Sequence, residues 1–191
     1  MKNQSPIVYI LHGYDAAPTR HWFPWLRERL ESDGIRTDAV PLPTPAAPRL
    51  SAWLAAIAET VTKFTPETYF VAHSLGCITL LQYLSEQKSA RIGGALLVSG
   101  FAETPRDFPF LAEFAAPPLD YAALKQTLAH CTVLSAKDDP LVPHAASKAL
   151  ADALAADFYA LPTGGHFIDQ TGTRALPAAY GALCAMLPHE K

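Results

Sequence analysis

Residues 69–76 read YFVAHSLG, and their pattern is the strongest indication of the fold in the sequence. Its apolar start predicts a short buried strand, and the amphipathic pattern that continues to about residue 87 predicts a helix. Ser74 lies between the two elements, where the chain must turn sharply from strand to helix. So tight a turn needs small residues two positions before and two positions after the serine, and Ala72 and Gly76 meet that need.

Ser74 has two interpretations at this turn. As a nucleophile, it is held in a strained backbone conformation, with the free N–H groups of the helix N-terminus behind it. As a structural residue, it only caps the helix, because serine is a common N-cap. The order strand, serine, helix favours the nucleophile. We expect the neighbouring His73 to pack rather than to act as a base.

The rest of the chain alternates short apolar runs with helical patterns, which is typical of an α/β fold with a mostly parallel sheet. Strands are predicted at residues 7–11, 35–40, 69–72, 95–99, 132–136 and 158–161. Helices are predicted at residues 21–33, 50–63, 75–87, 120–128, 144–155 and 176–187. An aromatic, Pro-rich stretch at residues 100–118 breaks the alternation, and it predicts a loop or small lid over the sheet edge.

Composition narrows the class of protein. The chain has 191 residues, of which 50% are hydrophobic and 17% are charged, so we expect one ordered domain over residues 1–191. The formal net charge is −3 and no block of Lys and Arg stands out, which argues against nucleic acid or an anionic membrane as a partner. The apolar run at residues 7–11 is too short for a signal peptide or a membrane span.

The cysteines indicate a reducing compartment. Cys77, Cys131 and Cys184 are widely spaced and odd in number, so we expect free, buried thiols in a cytoplasmic protein. The sequence contains neither a C-x-x-C pair nor an H-x-x-x-H pair. We therefore expect no disulfide, no metal and no cofactor.

Partners for a nucleophilic serine follow later in the chain. A serine hydroxyl needs a base, and the base needs an acid that orients it. Asp139 follows the fifth predicted strand and directly precedes a rigid proline, and His166 follows the sixth strand after two glycines. We assign Asp139 as the acid and His166 as the base, with Asp138 as the alternative acid. Each could instead be a turn, cap or surface residue, since Asp-Pro favours turns.

The loop after the first strand is the candidate oxyanion hole. Two backbone N–H groups hold the developing negative charge in such sites, one after the nucleophile and one from an early strand–helix loop. Those donors are predicted to be Leu75 and Tyr14. The alternative is an ordinary turn that needs Gly13 for its backbone. If the sheet order reverses between the first and third strands, Tyr14 and Ser74 face each other.

Taken together, these motifs resemble the small serine hydrolases of the RBBP9/YdeN type over nearly the whole chain. The resemblance rests on HGY at 12–14, HWFPWL at 21–26, AHSLG at 72–76, DPLVP at 139–143 and GHF at 165–167. It implies a three-layer α/β-hydrolase core: a mostly parallel six-stranded sheet with helices on both faces and little or no cap. It also implies a triad of Ser74, Asp139 and His166.

Several aromatic residues are candidates for the walls of a substrate pocket. His21, Trp22 and Trp25 lie near the proposed oxyanion loop, and they could line an acyl or leaving-group pocket. Core packing explains the two tryptophans equally well. The other wall is assigned to three phenylalanines of the Pro-rich stretch, namely Phe101, Phe108 and Phe110.

Three functions compete for these residues. The leading hypothesis is an esterase that acts on small carboxylic esters through an acyl-enzyme on Ser74, with amides and thioesters left open. The second is a non-catalytic protein- or ligand-binding module on the same scaffold, in which His166 faces away from Ser74. The third is a flavodoxin-like nucleotide or flavin binder, which the loop at residues 12–14 disfavours because it offers one glycine for a phosphate.

Overall fold

Six parallel strands form one sheet in a computed structural model that describes residues 5–62, 64–87 and 91–188. Along the chain the strands are β1 (Ile7–Leu11), β2 (Arg36–Ala39), β3 (Thr68–His73), β4 (Ile92–Val98), β5 (Leu128–Ala136) and β6 (Asp157–Leu161). Their order across the sheet is β2-β1-β3-β4-β5-β6, and each neighbouring pair is parallel. The predicted reversal between the first and third strands is therefore confirmed.

Helices cover both faces of the sheet, which gives the predicted three layers. They are α1 (Phe23–Ser32), α2 (Leu50–Thr60), α3 (Leu75–Glu86), α4 (Ala112–Ala115), α5 (Tyr121–Thr127), α6 (His144–Leu154) and α7 (Pro177–Cys184). The apolar side chains of α1 and α7 share one buried cluster, and those of α2, α3, α5 and α6 share the other. Successive strand residues alternate between the clusters, as Val8 and Tyr9 do, because strand side chains alternate between faces.

Most element boundaries differ from the predicted ones by one to three residues. The largest difference is at β5, which begins at Leu128, four residues before the predicted start and at a residue predicted to be helical. β4 begins at Ile92, three residues before the predicted start, because Gly93 and Gly94 belong to the strand. A Cβ on Gly93 would lie 2.2 Å from the ring of Tyr69, so the glycine allows the close approach of a neighbouring strand. α1 begins at Phe23 rather than at the predicted His21.

Two further predictions need correction. The last helix ends at Cys184, so Leu187 is buried beyond the helix rather than on it. The stretch at residues 100–118, predicted as a loop or small lid, contains a 3₁₀ turn at Pro109–Leu111 followed by α4. The predicted end of α2 at residue 63 lies outside the described residues, and the helix itself ends at Thr60.

The sheet brings the candidate site together at the carboxyl ends of its strands. The loop after β1, the turn after β3, and the loops after β5 and β6 all leave from this edge, since every strand runs in the same direction. Ligand sites of open α/β sheets lie at this edge, beside the point where the strand order reverses. None of the helices in the described part of the chain has the length and apolar character that crossing a bilayer needs.

Candidate active site

Ser74 occupies a strained turn between β3 and α3. Its φ of 53° and ψ of −121° lie outside the regions that non-glycine residues ordinarily adopt, at a cost of about 1–3 kcal/mol. The serine stands at the N-cap position of α3, but its side chain makes no capping hydrogen bond. Its main-chain N–H donates to the carbonyl of Val98 at 2.9 Å, which ties the turn to β4. Capping therefore does not explain this serine.

The small neighbours of Ser74 are needed for the approach of the first strand. A Cβ on Gly76 would lie 2.5 Å from the carbonyl oxygen of His12, so the N-terminus of α3 packs directly on the end of β1. Ala72 is fully buried, and its methyl group is accommodated where a glycine is more usual. The position of Ser74 is thus set by backbone-to-backbone packing.

His166 reaches Ser74 from the loop after β6. Nε2 of its imidazole lies 2.9 Å from Oγ of Ser74. Gly164 makes the loop possible, because its φ is +148° and a Cβ there would lie 2.4 Å from the ring of Phe167. Phe167 is almost fully buried beside the imidazole and anchors the loop in the core. The ring of His166 is therefore held against the serine.

Asp139 contacts the other nitrogen of the same imidazole. Its Oδ2 lies 2.9 Å and its Oδ1 3.1 Å from Nδ1 of His166. Ser99 donates a hydrogen bond to Oδ2 at 2.8 Å, and the main-chain N–H groups of Leu141 and Val142 donate to Oδ1. The side chain of Asp139 is fully buried.

These hydrogen bonds keep the buried carboxylate of Asp139 ionised. Burial by itself raises the pKa of an aspartate, but His166 and the amides of Val142 and Leu141 outweigh it, so the pKa of Asp139 lies below its ordinary value. An ionised acceptor at Nδ1 fixes the tautomer in which Nε2 accepts the proton of Ser74. The arrangement can therefore activate the serine hydroxyl.

The alternative acid, Asp138, does not contact the imidazole. Its side chain is exposed, and Oδ1 accepts a hydrogen bond from the main-chain N–H of Gly165 at 2.9 Å. Asp138 thus holds the loop that carries His166, and Asp139 holds the ring.

Ser99 and His73 are contributors to the site to which the sequence assigned no catalytic role. Ser99 lies just beyond β4, at the strand end that faces the site. This placement is the sequence feature that could have indicated a role for Ser99 in the site. His73 is fully enclosed; its Nε2–H donates to the carbonyl oxygen of His166 at 2.8 Å. Burial, followed by the nearby His166, holds the pKa of His73 well below its ordinary value, so its ring is neutral. His73 therefore contacts the backbone of His166 rather than the hydroxyl of Ser74.

The proposed oxyanion donors lie beside the serine. A Cβ on Gly13 would lie 3.0 Å from Cβ of Ser74 and 3.6 Å from the main-chain nitrogen of Leu75, so the loop after β1 passes close to the turn. Within residues 5–62, 64–87 and 91–188, the amides of Tyr14 and Leu75 donate to no other main-chain group. Both amides are available to an oxygen bound at Ser74.

A pocket of about 240 Å³ opens at Ser74. Its apolar lining comes mainly from two segments after β4 and β5, with Phe101, Pro105, Phe108, Leu111, Leu141 and Val142. The more polar lining comes from the loop after β1 and the loop after β6, with Tyr14, Asp15, His21, His166 and Gln170. The pocket thus has an apolar side and a hydrogen-bonding side.

The aromatic candidates separate into pocket and core residues. His21, Phe101 and Phe108 line the pocket, whereas Phe110 is 58% exposed beside Tyr14, with ring centroids 5.3 Å apart. The structure does not bring the two tryptophans to the pocket. Trp22 is fully buried in the core under α1, and Trp25 packs edge-on against the ring of Tyr180. Core packing, the alternative stated for them, accounts for both.

His21 has its own aspartate, which the sequence did not single out. Nδ1 of His21 accepts a hydrogen bond from the main-chain N–H of Asp169 at 3.1 Å and lies 3.2 Å from Oδ1 of the same residue. Arg20 pairs with the carboxylate of Asp169 at 2.8 Å. Among the described residues, no group of three or more His, Cys, Asp or Glu side chains could hold a metal ion.

A parallel sheet with a strained serine at a strand–helix turn, and an imidazole within hydrogen-bond distance of it, defines the fold as that of an α/β-hydrolase. The chain matches the family described as serine hydrolase over residues 8–185. It is 40% identical over 184 residues to YdeN of Bacillus subtilis strain 168, named as a hydrolase, covering 96% of this chain and 97% of YdeN. The chain belongs to the serine hydrolase family.

Solved structures agree with this assignment. The crystal structure of the ydeN gene product from B. subtilis has a TM-score of 0.93 at 39% identity, and the match covers 95% of this chain and 98% of that one. Est1E from Butyrivibrio proteoclasticus has a TM-score of 0.71 at 15% identity, covering 96% and 88%. The second likeness shows the fold alone.

Proposed function

We propose that Ser74, His166 and Asp139 form the catalytic triad of an esterase that cleaves small carboxylic esters through an acyl-enzyme. One observation carries the proposal: two consecutive hydrogen-bond distances of 2.9 Å join Oγ of Ser74 to Nε2 of His166, and Nδ1 of His166 to Asp139. The strained backbone of Ser74 and the burial of Asp139 support it, since neither serves a capping or surface role.

The first half of the reaction forms the acyl-enzyme. Oγ of Ser74 attacks the ester carbonyl while its proton passes to Nε2 of His166, and the carboxylate of Asp139 stabilises the resulting imidazolium. The tetrahedral intermediate places its negative oxygen against the amides of Tyr14 and Leu75. Collapse of the intermediate breaks the bond to the alcohol, which leaves with the proton from His166.

Water then hydrolyses the acyl-enzyme, with water as the attacking group and Ser74 as the leaving group. His166 takes a proton from water as the water attacks the acyl carbon, and a second tetrahedral intermediate uses the same two amides. Its collapse releases the carboxylic acid and returns the proton to Oγ of Ser74. Loss of one oxyanion donor in such sites costs on the order of 100- to 1000-fold in turnover.

The size and lining of the pocket favour small substrates. A volume of about 240 Å³ is below the usual range of about 300–1,000 Å³ for ligand pockets, and its apolar side suits a short acyl chain. The non-catalytic alternative requires His166 to face away from Ser74, and the 2.9 Å distance between them argues against it.

The test combines covalent labelling with hydrolysis. A fluorophosphonate probe is expected to label the folded protein at Ser74, and p-nitrophenyl esters of graded acyl length are expected to show the fastest turnover with short chains. Ser74→Ala should abolish both, whereas Ser51→Ala, at an exposed serine on α2, should keep both. A folded wild-type protein that neither takes the probe nor hydrolyses any ester, thioester or amide of the panel would overturn the proposal.

A further inference from the structure

His21 is one of three histidines that line the pocket, and the proposed reaction gives it no role. It lines the same pocket as Ser74 and His166.

 Its ring makes no hydrogen bond to either of those two side chains in the described part of the chain, so it is neither the base nor a ligand of the base. Its side chain is only 5% exposed, so a polar ring is enclosed at the edge of the site.

The contacts of His21 leave one ring nitrogen for the pocket. Nδ1 is occupied by Asp169, whose main-chain N–H donates to it at 3.1 Å. Across residues 5–62, 64–87 and 91–188, Nε2 of His21 has no hydrogen-bond partner within the protein, and it is not a fully enclosed atom. Because Nδ1 accepts, the neutral ring carries its proton on Nε2.

The same nitrogen stays a donor in both protonation states. In the neutral ring, Nδ1 accepts from the amide of Asp169 and Nε2 carries the hydrogen. In the protonated ring, Nδ1–H can donate to Oδ1 of Asp169, 3.2 Å away, and Nε2 still carries a hydrogen. Burial lowers the pKa of His21, against the opposing effect of Asp169, so the neutral donor is the form expected at neutral pH.

His21 lies in the part of the pocket that contains His166, since the ring of His73 is 5.9 Å from the ring of His21 and 4.8 Å from the ring of His166. His166 must give its proton to the departing alcohol, so the alcohol lies beside His166. Asp169 follows His166 by three positions on the same loop and holds His21 there. The apolar residues that suit the acyl chain come from other segments, after β4 and β5.

We propose that His21 is a specificity-determining residue whose Nε2–H donates a hydrogen bond to a neutral oxygen acceptor in the alcohol part of the ester. The inference rests on the proposed esterase function. A neutral acceptor such as an ether, hydroxyl or carbonyl oxygen fits better than a carboxylate, because the cation nearest His21, Arg20, is already paired with Asp169. A substrate without this acceptor leaves the enclosed N–H of His21 unpaired, which disfavours it.

The test compares esters that differ by one atom. Butyl butyrate and 2-methoxyethyl butyrate have the same acyl group and the same chain length, but the second has an ether oxygen in place of one methylene. Pentyl and 3-methoxypropyl butyrate form a second pair with the oxygen one atom further out. Each rate is divided by the rate of hydroxide-catalysed hydrolysis of the same ester, which removes the difference in leaving-group reactivity.

The wild-type protein is expected to prefer the ether ester of at least one pair by about tenfold or more in kcat/KM, the scale of one hydrogen bond. His21→Asn should reduce that preference to less than threefold; asparagine suits the φ of +58° at this position, and its shorter side chain does not reach as far. His21→Phe, which keeps a ring against Phe23, is a second variant with the same expectation. His130→Asn, at an exposed histidine on β5, is the matched control and should keep the wild-type preference.

Each outcome decides something. Hydrolysis without an ether preference in either pair, or a preference that both His21 variants retain, overturns the inference and leaves the esterase proposal standing. Absence of ester hydrolysis together with absence of fluorophosphonate labelling at Ser74 overturns the proposed function and this inference with it. Circular dichroism of each variant establishes that the comparison is made on folded protein.

Discussion

Two histidine–aspartate pairs face the same pocket, and they differ in what surrounds them. His166 and Asp139 are joined at 2.9 Å, and the carboxylate of Asp139 is fully buried among three further donors. His21 meets the main-chain N–H of Asp169 as well as its carboxylate, and that carboxylate is 19% exposed and paired with a cation. The two histidine–aspartate pairs therefore have different hydrogen-bonding environments.

The role of each histidine depends on the partner of its second ring nitrogen. Nε2 of His166 lies 2.9 Å from Oγ of Ser74, so proton transfer has both a donor and a base. Nε2 of His21 has no protein partner among the described residues, so it is available to a molecule bound in the pocket. The group at Nδ1 fixes which nitrogen carries the proton: it is the carboxylate of Asp139 in one pair and the main-chain N–H of Asp169 in the other.

The first prediction compares the loss of kcat when Asp139 is changed with the loss when Asp169 is changed. Asp139→Asn should lower kcat on p-nitrophenyl butyrate by about 10,000-fold, because an amide stabilises neither the required tautomer nor the imidazolium. Asp169→Asn, the matched change in the other pair, should lower it by less than about tenfold, since the main-chain N–H that meets His21 remains. Equal losses in the two variants would contradict the division between a catalytic pair and a binding pair.

The second prediction concerns the free energy of unfolding and its dependence on pH. The pKa of Asp139 is lowered in the folded state, so its carboxylate stabilises the fold above the unfolded-state pKa of about 3.9, and that stability is lost as the pH falls through the lower folded-state value. Asp139→Asn lacks this contribution. Urea unfolding should show the variant about 1–3 kcal/mol less stable at pH 7 and pH 5, with a gap that narrows below about pH 4. A gap that stays constant down to pH 3 would argue against an ionised, hydrogen-bonded Asp139.

The sequence predicted the sheet, and it indicated three side chains that the fold brings together, for a physical reason. The alternation of strands with helices and the small residues around Ser74 are local sequence features, and the structure contains both. Asp139 and His166 could be assigned because parallel strands place their carboxyl ends at one edge. The structure brings both to Ser74, with no bond from Asp138 to the imidazole.

The pocket could not be predicted in the same way, because its walls depend on contacts between distant segments. His21 and Asp169 are 148 residues apart, and no local pattern pairs them. Trp22 directly follows His21 in the chain, yet the φ of +58° at His21 turns the chain so that one ring reaches the pocket and the other lies in the core. Only the fold reveals which aromatic side chain faces which way.

The third prediction concerns His73, whose ring lies between the two pairs. Its ring centroid is 4.8 Å from that of His166 and 5.9 Å from that of His21. His73→Phe removes the N–H that donates to the carbonyl of His166, so kcat should fall by about tenfold while KM changes less than twofold. His73→Gln, which retains an N–H donor, should recover part of the loss. A rise in KM with unchanged kcat would show that His73 acts on the substrate pocket instead.

The last prediction is the smallest change in kcat, and it compares the neighbouring carboxylates Asp138 and Asp139. Asp138→Ala removes the acceptor for the main-chain N–H of Gly165, which loosens the loop that carries His166 but leaves the imidazole paired with Asp139. One exposed hydrogen bond contributes about 0.5–1.5 kcal/mol, so kcat should fall by about two- to tenfold. Asp138→Asn keeps an oxygen acceptor and should lie closer to the wild type. A loss in Asp138→Ala that matched the loss in Asp139→Asn would mean that the orientation of His166 depends on its loop as much as on its buried partner.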